Sequence, residues 1–390
     1  MGRENRQLRV GLDGHVIGRR RTGNETYAIA LAVGLAARPD VDLTVYLDRV
    51  DAWPAEVQPV PRLRPLRFRR PQLRIPFELP IRAALDRVDV LHCQYVIPPL
   101  ARTPVVASIH DLSFEDYPED FSPATRRRLR LTVARAARTA AAVVTPSAFS
   151  RTRLLAHYDV DPERVIVVPP AVVPSSTASG EGPATLDGLD LPGPYVLAVG
   201  DLHPRKNIER LIRAIALVRD GGIELGLVLA GQRGWQAAHV DAAVRQVGGE
   251  AWVRRLGYVD RPTLGELYGQ AAMLAYISLY EGFGLPVAEA MARGTPVLAA
   301  DAASIPEVAG NAAILVDPRS DAAVAAGIAS IASDAALREQ LRCAGIDRAA
   351  AFRPEAFAAG MVAAYRIALD PRGRVEPVPT ALAGEPERVE

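Results

Sequence analysis

The chain has little cysteine, almost no lysine and no long apolar run. Its only cysteines, Cys93 and Cys343, are too few for a disulfide framework or a cysteine-rich zinc site. No stretch of about 18 uninterrupted apolar residues occurs, and the first ten residues lack the apolar core of a signal peptide. We therefore expect a cytoplasmic protein with no segment that spans a membrane.

Two common phosphate-binding signatures are also absent. Neither half carries G-x-G-x-x-G at its first strand–helix turn, so a nicotinamide enzyme loses its main support, and there is no Walker loop. The D-x-D triplets Asp40-Val41-Asp42 and Asp159-Val160-Asp161 lie at helix-to-strand turns, away from the strand ends where α/β proteins bind ligands. We interpret both triplets as turn residues. The prediction is a site with no metal and no cofactor.

What is present indicates two α/β domains. A chain of 390 residues is long for one core, and 49% hydrophobic with 23% charged residues is ordinary for a folded protein. Short apolar runs alternate with helical patterns, which is typical of βαβ units and parallel sheets. We predict an N-terminal domain (1–172), a linker rich in Pro, Ser and Gly (173–194), a C-terminal domain (195–352), a final helix (353–369) and a disordered tail (370–390).

The expected strands form two series separated by the linker. The first series is Leu8–Asp13, Asp42–Leu47, Val88–His92, Val105–His110, Ala142–Thr145 and Val165–Val168. The second series is Tyr195–Gly200, Leu225–Ala230, Trp252–Gly257, Met273–Ser278, Pro296–Ala300 and Ala313–Val316. The clearest helical patterns are Glu25–Ala37, Pro123–Ala140, Ser147–His157, Ile208–Val218 and Pro354–Leu369.

Charge is distributed unevenly along the chain. Residues 1–180 carry a net charge of +7 and the remainder −6. Arginines crowd two stretches of the first half: Arg62, Arg64, Arg67, Arg69, Arg70 and Arg74, then Arg126, Arg127, Arg128 and Arg130. They are either a solvated surface or a patch for an anionic membrane or a phosphorylated acceptor, and the sequence leaves both interpretations open. Nucleic acid is not expected, because aromatic residues do not interleave with these arginines.

The segment from Glu281 to Glu289 follows a predicted buried strand. Pro286 is a good first residue for a helix, and the glycines before it allow a ligand to approach the backbone. Amides at a helix start favour a phosphate or a developing negative charge. Glu281 then lies in the loop and Glu289 in the first helical turn, where carboxylates can accept hydrogen bonds from sugar or ribose hydroxyls. A single glutamate in a glycine loop is usually only a turn or cap residue. Two glutamates that bracket this turn are a specific indication of a binding site.

A second motif, GDLHPRKN, follows the first strand of the second half. Asn207 is a plausible N-cap, which places Arg205 and Lys206 at a helix entrance where two cations can hold a diphosphate. Lys206 is the only lysine in the chain, against 45 arginines. A lysine at this one position is better explained by a need for a compact point charge than by chance.

These motifs resemble a known family. The segments GDLHPRKN, LGYVDRPTLGELY, SLYEGFGLPVAEAMARGTPVLAAD and ASIPEVAGNAAILVDP are similar to the donor half of family 4 retaining glycosyltransferases, in their mannosyltransferase-like branch. HDLSFEDYPEDF and TPSAFSRTRL resemble the first half of that branch, so the likeness covers most of residues 8–365. It implies an α/β fold of two facing Rossmann-like domains with parallel sheets, termed GT-B, whose C-terminal helix crosses back to the N-terminal domain.

The resemblance also implies roles for single residues. Arg205 and Lys206 match the diphosphate-binding cations, Glu281 the glutamate beside the transferred sugar, and Glu289 the one that bonds the ribose. His110 matches a first-domain histidine near the sugar, so His110 and Glu281 are the expected catalytic residues. The rest of the expected donor site is Gly23, Tyr258, Val259, Gly282, Phe283, Gly284 and Leu285.

The sequence departs from the family pattern at one loop. The family often has Thr-Gly-x-Gly after the first strand, whereas this chain has Thr22-Gly23-Asn24-Glu25. Gly23 is kept, but a carboxylate at the second glycine would repel a diphosphate. We therefore interpret Glu25 as facing the acceptor.

The resemblance implies a metal-independent transferase that moves a hexose with retention of configuration. The expected donor is GDP-mannose, with UDP- and dTDP-sugars as alternatives, and the acceptor is a hydroxyl of a glycan, a lipid-linked sugar or a small molecule. Peripheral association with the inner face of a membrane stays open through the arginine stretches. Two other classes also stay open: a nucleotide-sugar epimerase of the same fold, and a non-catalytic scaffold.

Overall fold

The structure is a computed structural model that describes residues 6–19, 22–55, 57–173, 186, 188–232 and 237–370. It divides into two compact units, Met1–Val173 with Phe352–Glu390, and Pro174–Ala351. Most of the predicted linker and nearly all of the predicted tail lie outside the described residues.

Each unit contains one parallel sheet. The first sheet has seven strands in the order β3-β2-β1-β4-β5-β6-β7, and the second has six in the order β10-β9-β8-β11-β12-β13. The first-sheet strands are β1 Leu8–Asp13, β2 Val41–Leu47, β3 Arg62–Pro65, β4 Val90–Gln94, β5 Val105–Ser108, β6 Ala142–Thr145 and β7 Val165–Val167. The second-sheet strands are β8 Tyr195–Val199, β9 Gly226–Ala230, β10 Val253–Gly257, β11 Met273–Tyr276, β12 Val297–Ala300 and β13 Ile314–Val316.

Helices connect most of the successive strands, as is usual for parallel pairing. In the first unit they are α1 Thr22–Ala36, α2 Pro71–Leu73, α3 Leu79–Leu85, α4 Ser113–Asp116, α5 Pro123–Thr139 and α6 Ala148–His157, with a π-helical turn Arg74–Glu78 joining α2 to α3. In the second unit they are α7 Ile208–Asp220, α8 Ala237–Gln246, α9 Arg261–Gln270, α10 Leu285–Ala292, α11 Ile305–Ala309, α12 Asp321–Ser333 and α13 Ala335–Ala349. The last helix, α14, is Pro354–Leu369.

The central strands are apolar because helices cover both of their faces. Every residue of β6, β9 and β12 is buried. On α7 the buried residues are Leu211, Ile212, Ala214, Ile215 and Val218, which form a stripe with helical spacing against the second sheet. Apolar periodicity therefore accounts for the two cores.

Every strand expected from the sequence is present, and the structure adds one more. The added strand, β3, pairs with β2 at the sheet edge, with Arg62 opposite Thr44 and Arg64 opposite Tyr46. Three of its four residues are exposed, so it lacks the apolar run on which strand prediction depends. The sequence analysis predicted no strand here, so β3 was missed, although its arginines are solvated.

The last helix returns to the first unit. It packs on α1 so closely that a Cβ at Gly34 would lie 2.6 Å from the backbone oxygen of Pro354. Its Tyr365 hydroxyl lies 3.1 Å from Nδ1 of His92 on β4. The fold prediction, two Rossmann-like domains with parallel sheets and a C-terminal helix that crosses back, is confirmed.

The two D-x-D triplets lie near the amino ends of strands. Asp40 pairs with Arg38 through two 2.9 Å hydrogen bonds, and Asp161 accepts a hydrogen bond from the amide of Glu163. Within the described ranges, no group of three or more metal-binding side chains is found. No helix in the described part of the chain has the length and apolarity needed to cross a membrane.

Candidate active site

The candidate site lies where the strand order of the second sheet reverses. The chain leaves β8 towards β9 on one side, whereas β11 pairs with β8 on the other. Ligands of open α/β sheets bind in the crevice at the carboxyl ends of such strands. The loop after β8 carries Arg205 and Lys206, and the loop after β11 carries Glu281, so topology alone brings the predicted residues to one crevice.

Arg205 and Lys206 occupy a 3-10 turn, Pro204–Lys206, immediately before α7. Asn207 stands at the N-cap position, but its backbone is left-handed with φ 61° and its side chain does not cap the helix. The Asn207 amide instead donates to the carbonyl oxygens of Ile277 and Pro318 at 3.3 and 2.6 Å. The predicted capping role is therefore wrong, because Asn207 fastens the cation turn to the loop after β11.

Lys206 is the centre of a buried polar cluster. Its Nζ donates to Oε1 of Glu281 at 2.6 Å and to the hydroxyl oxygen of Tyr276 at 2.7 Å. The Arg205 guanidinium lies 3.9 Å from the other Glu281 oxygen. A Cβ at Gly200, whose φ is +133°, would lie 3.0 Å from Cε of Lys206. The glycine thus leaves room for the lysine stem, and Tyr276 is a site residue that the sequence did not reveal.

The electrostatics of the cluster keep Glu281 ionised. Burial raises the pKa of the Glu281 carboxyl, but the charges of Lys206 and Arg205 outweigh it, so the pKa lies below its ordinary value. Burial lowers the pKa of Lys206, and the charge of Arg205 lowers it further, although Glu281 opposes the shift. The result is a preorganised carboxylate that faces two cations.

The glycine turn leads into α10 one residue earlier than predicted. Gly284 is the N-cap with φ +103°, and a Cβ there would lie 2.5 Å from Cδ1 of Ile305. Leu285 is the first helical residue and Pro286 the second. The buried Ser304 hydroxyl donates to the carbonyl oxygens of Glu281 and Phe283 at 2.9 and 3.0 Å. Ser304, to which no motif in the sequence gave a role, thereby fixes the turn. The turn residues Gly282 and Phe283 are buried.

Glu289 consequently lies in the second turn of α10 rather than in the first. Its Oε2 accepts a 2.9 Å hydrogen bond from the hydroxyl of Tyr268 on α9. Burial raises the pKa of the Glu289 carboxyl, although the Tyr268 hydrogen bond and two arginines oppose the shift. The two glutamates therefore have different surroundings, since Glu281 faces cations and Glu289 faces a hydroxyl.

Tyr258 and Val259 lie after β10, at the same edge of the sheet. The Tyr258 side chain is 43% exposed, and Val259 is half-buried. Strands β10, β9 and β8 are neighbours, so Tyr258 is two strand spacings, roughly 10 Å, from the loop after β8. An exposed aromatic ring at that distance suits a flat group attached to a bound phosphate.

In the first unit, His110 follows β5. Its Nε2 lies 2.8 Å from Oε1 of Gln94, and its ring contacts Tyr27 and Tyr95 with centroids 4.4 and 5.4 Å apart. Burial lowers the pKa of His110 to about 4, with Asp111 opposing. His110 is therefore a neutral, firmly held imidazole at pH 7.

The loop after β1 contains a second oriented histidine, which no motif in the sequence indicated. His15 Nδ1 lies 2.9 Å from Oδ1 of Asp13, a buried carboxylate at the end of β1. Gly23 lies in the first turn of α1 rather than in the loop, and space is open where its Cβ would be. Glu25 accepts a 2.7 Å hydrogen bond from the amide of Gly18. The sequence analysis expected Gly23 in a loop, whereas the structure places it at the start of a helix; its contact with the donor stays a prediction.

A buried hydrogen-bond chain runs behind His110. The Tyr27 hydroxyl lies 2.6 Å from Oγ of Ser108, which lies 3.1 Å from Nε2 of His92, whose Nδ1 meets Tyr365. Burial, aided by His110, lowers the pKa of His92 to about 3. The chain ties α1, β4, β5 and α14 together around a neutral imidazole.

We expect acid to destabilise the first unit. The pKa values of His92 and His110, about 3 and 4, lie below the usual 6.5. As pH falls below 6.5, the unfolded state binds protons that the folded state does not. The contribution of the neutral histidines to the free energy of unfolding is therefore full above pH 6.5 and is lost as pH falls. When pH falls from 7 to 5, each histidine should lower the free energy of unfolding by about 2 kcal/mol. His92→Gln should halve the loss, as measured by urea-dependent hydrogen exchange of the β4 and β5 amides. His239→Gln, at an exposed site of the second unit, is the control, and an unchanged pH dependence in His92→Gln would contradict the assignment.

Comparison with known families assigns both units. The family described as "Glycosyl transferases group 1" matches residues 188–348, and "Glycosyltransferase Family 4" matches residues 21–176. Fold and matches together place the chain in the GT-B class of glycosyltransferases. Within that class, the first unit carries the Family 4 match and the second unit carries the group 1 match.

Individual relatives cover parts of the chain. O-antigen chain mannosyltransferase B of Escherichia coli is 33% identical over 195 residues, which is 48% of this chain and 51% of the relative. The chain thus spans about half the length of this curated relative. Sucrose-phosphate synthase of Thermosynechococcus elongatus has a similar fold, with a TM-score of 0.69 and 23% identity over 93% of this chain and 98% of the other. HepE of Anabaena, solved with UDP-glucose, has a similar fold with a TM-score of 0.66. It is 21% identical, and the match covers 91% of this chain and 98% of the other.

Proposed function

We propose that the protein is a retaining hexosyltransferase that uses a nucleoside diphosphate sugar and an acceptor hydroxyl. The acceptor is a glycan, a lipid-linked sugar or a small molecule. The observation that carries the proposal is the cluster of Arg205, Lys206 and Glu281 at the crevice of the second sheet. Two cations and a helix start suit a diphosphate, and an ionised carboxylate between them suits the sugar attached to it.

The reaction follows from charge stabilisation. As the bond between the anomeric carbon and the phosphate oxygen breaks, negative charge grows on the nucleoside diphosphate, where Arg205, Lys206 and the α10 amides stabilise it. Positive charge grows on the anomeric carbon, and the acceptor hydroxyl forms its new bond on the face that the phosphate leaves. The departing phosphate takes the acceptor's proton, so configuration is retained. His110, neutral and held by Gln94, is assigned to a hydroxyl of the transferred sugar.

We assign mannose from GDP-mannose as the donor, supported by the relative named as a mannosyltransferase. A UDP-sugar is the second candidate, since a neighbour of the same fold was solved with UDP-glucose. In either case Glu289 receives the ribose, and Tyr258 with Val259 receives the base.

The donor assignment makes a testable prediction about nucleotides and metals. In a thermal-shift series, GDP should raise Tm more than UDP or dTDP, because ligand that binds only the folded state stabilises it. The shift and the turnover should both survive excess EDTA, since two cations and helix amides replace a metal. A larger shift with UDP would replace GDP by UDP in the assignment, and activity lost in EDTA but restored by manganese would refute metal independence.

A second experiment separates the transferase from the epimerase and the scaffold. The protein is incubated with labelled GDP-mannose in the absence of acceptor. A transferase should slowly hydrolyse the donor, whereas an epimerase would interconvert the sugar and a scaffold would do neither. With acceptor present, proton NMR of the first product should show the anomeric configuration of the donor; the opposite configuration would refute retention.

A further inference from the structure

Large apolar side chains stand exposed along one helical segment of the first unit. Leu73, Phe77, Ile81 and Leu85 are 40%, 49%, 57% and 69% exposed. They recur every four residues through α2, the π-turn and α3, so they lie in a row about 18 Å long. Phe68, 46% exposed, precedes the segment. We call these five residues the apolar ridge.

The ridge is a built feature rather than a frayed loop. Glu78, buried on the opposite face of the segment, accepts hydrogen bonds from the amides of Arg67 and Phe68 at 2.6 and 2.8 Å. Arg74 is 1% exposed and pairs with Asp48 at 3.2 Å. Leu79 and Ala83 are fully buried in the core. The inner face thus fixes the segment and its preceding loop, and holds the ridge outward.

Within residues 62–87, the stretch that carries the ridge, every exposed charge is positive. Between residues 62 and 87 the exposed charged side chains are Arg62, Arg64, Arg67, Arg69, Arg70 and Arg87. The acidic residues of this stretch are Glu78, which is buried, and Asp86, which pairs with Arg64 at 3.3 Å. The side chains of Arg67, Arg69 and Arg70 form no hydrogen bond or ion pair with any residue that the structure describes. These cations are available to an external anion.

We propose that the apolar ridge and the arginines beside it dock on a bilayer that contains anionic lipid. An exposed apolar row is uncommon on a protein surface and marks an interaction site. Helices that lie in a membrane interface combine such a row with arginines that meet anionic headgroups. This charge complementarity favours a lipid surface, and the inference does not depend on the proposed transferase activity.

The arginine stretch of α5 differs in this respect. Arg126 and Arg130 lie 4.0 and 3.1 Å from Glu115, which neutralises part of their charge. A cavity of about 420 Å³ there is lined by both arginines and by Tyr158, whose hydroxyl donates to Glu115 at 2.6 Å. Of the two stretches found in the sequence, only the first combines available cations with an apolar row.

The test is co-flotation of the full chain with vesicles of phosphatidylcholine, alone or with 30% phosphatidylglycerol. Wild type should float with the anionic vesicles, and 0.5 M NaCl should weaken binding because it screens the arginines. Phe77→Ser/Ile81→Ser should lower the partition coefficient at least tenfold, whereas Leu217→Ser/Ile346→Ser, at exposed sites of the second unit, should not. Arg69→Gln/Arg70→Gln should lower the partition coefficient by about fivefold per arginine. Arg127→Gln/Arg128→Gln, in the arginine stretch of α5, should leave it unchanged.

Circular dichroism and thermal melts should show that every variant is folded, because all eight substituted positions are exposed. Donor hydrolysis in detergent-free buffer should be unchanged in every variant, so a failed transferase assay is distinguishable from a failed docking assay. Equal flotation of Phe77→Ser/Ile81→Ser and wild type would overturn the proposal. It would also be overturned if light scattering showed wild type to be a dimer that the ridge variant dissociates, because the ridge would then face a second copy.

Discussion

Lys206→Ala is expected to lower kcat/KM about 100- to 1,000-fold, which corresponds to roughly 2.7–4 kcal/mol of transition-state stabilisation. The lysine is the closest cation to Glu281, at 2.6 Å, and sits where the diphosphate is proposed to leave. An alanine would remove a charge that grows more valuable as the phosphate departs, so kcat should fall more than KM rises. The measurement is steady-state kinetics with the donor, together with titration of the nucleoside diphosphate.

The geometry around Lys206 provides a graded control. Lys206→Arg keeps the charge, but the stem space beside Gly200 is tight, since a Cβ there would lie 3.0 Å from Cε of Lys206. A planar guanidinium should therefore restore only part of the activity. Tyr276→Phe removes one acceptor of Lys206 without changing charge and should cost less than Lys206→Ala. Wild-type turnover in a folded Lys206→Ala variant would remove the lysine from the site.

The sequence was sufficient for the architecture because parallel strands bury both faces. Segments such as β6 and β9 are buried throughout and almost entirely apolar, so their positions along the chain could be predicted. Edge strand β3 was not predicted, since a strand with one exposed face and alternating arginines has no apolar run. Prediction thus succeeded where burial determines the residue type, and failed at β3, where three of the four residues are exposed.

The candidate site was predictable to the extent that motifs follow strands. Arg205, Lys206 and Glu281 meet because β8 and β11 are neighbours at the switch point. Tyr276 was missed because an aromatic residue at a strand end looks like core. Ser304 was missed because a serine that ties carbonyl oxygens across the turn leaves no local pattern. Contacts between segments distant in sequence need the folded chain.

A one-residue error in a helix start had a larger consequence. Left-handed Gly284, rather than Leu285, caps α10, which moves Glu289 from the first turn to the second. There it meets Tyr268 of α9 and lies farther from the helix amides. The rule for helix starts favours proline at the first helical position, so it started the helix at Pro286, whereas Pro286 is the second residue of α10.

The two glutamates should show opposite kinetic signatures. Glu281→Gln is expected to lower kcat about 100-fold with little change in donor KM, because the carboxylate lies beside the position assigned to the anomeric centre and positive charge develops there. The same change removes a negative charge between Arg205 and Lys206. The free nucleoside diphosphate should therefore bind as tightly as to wild type or more tightly.

Glu289→Gln is expected to raise donor KM about tenfold while kcat stays near wild type, since a ribose contact is present before and during reaction. Tyr268→Phe is the matched control, because it removes the hydroxyl that donates to Glu289 at 2.9 Å and leaves the carboxylate in place. That variant should raise KM by a smaller factor. Circular dichroism should show all three variants folded. If Glu281→Gln and Glu289→Gln changed kcat and KM in the same proportions, or in the reverse sense, the two carboxylates would not divide the donor between sugar and ribose, and the cation cluster alone would define the site.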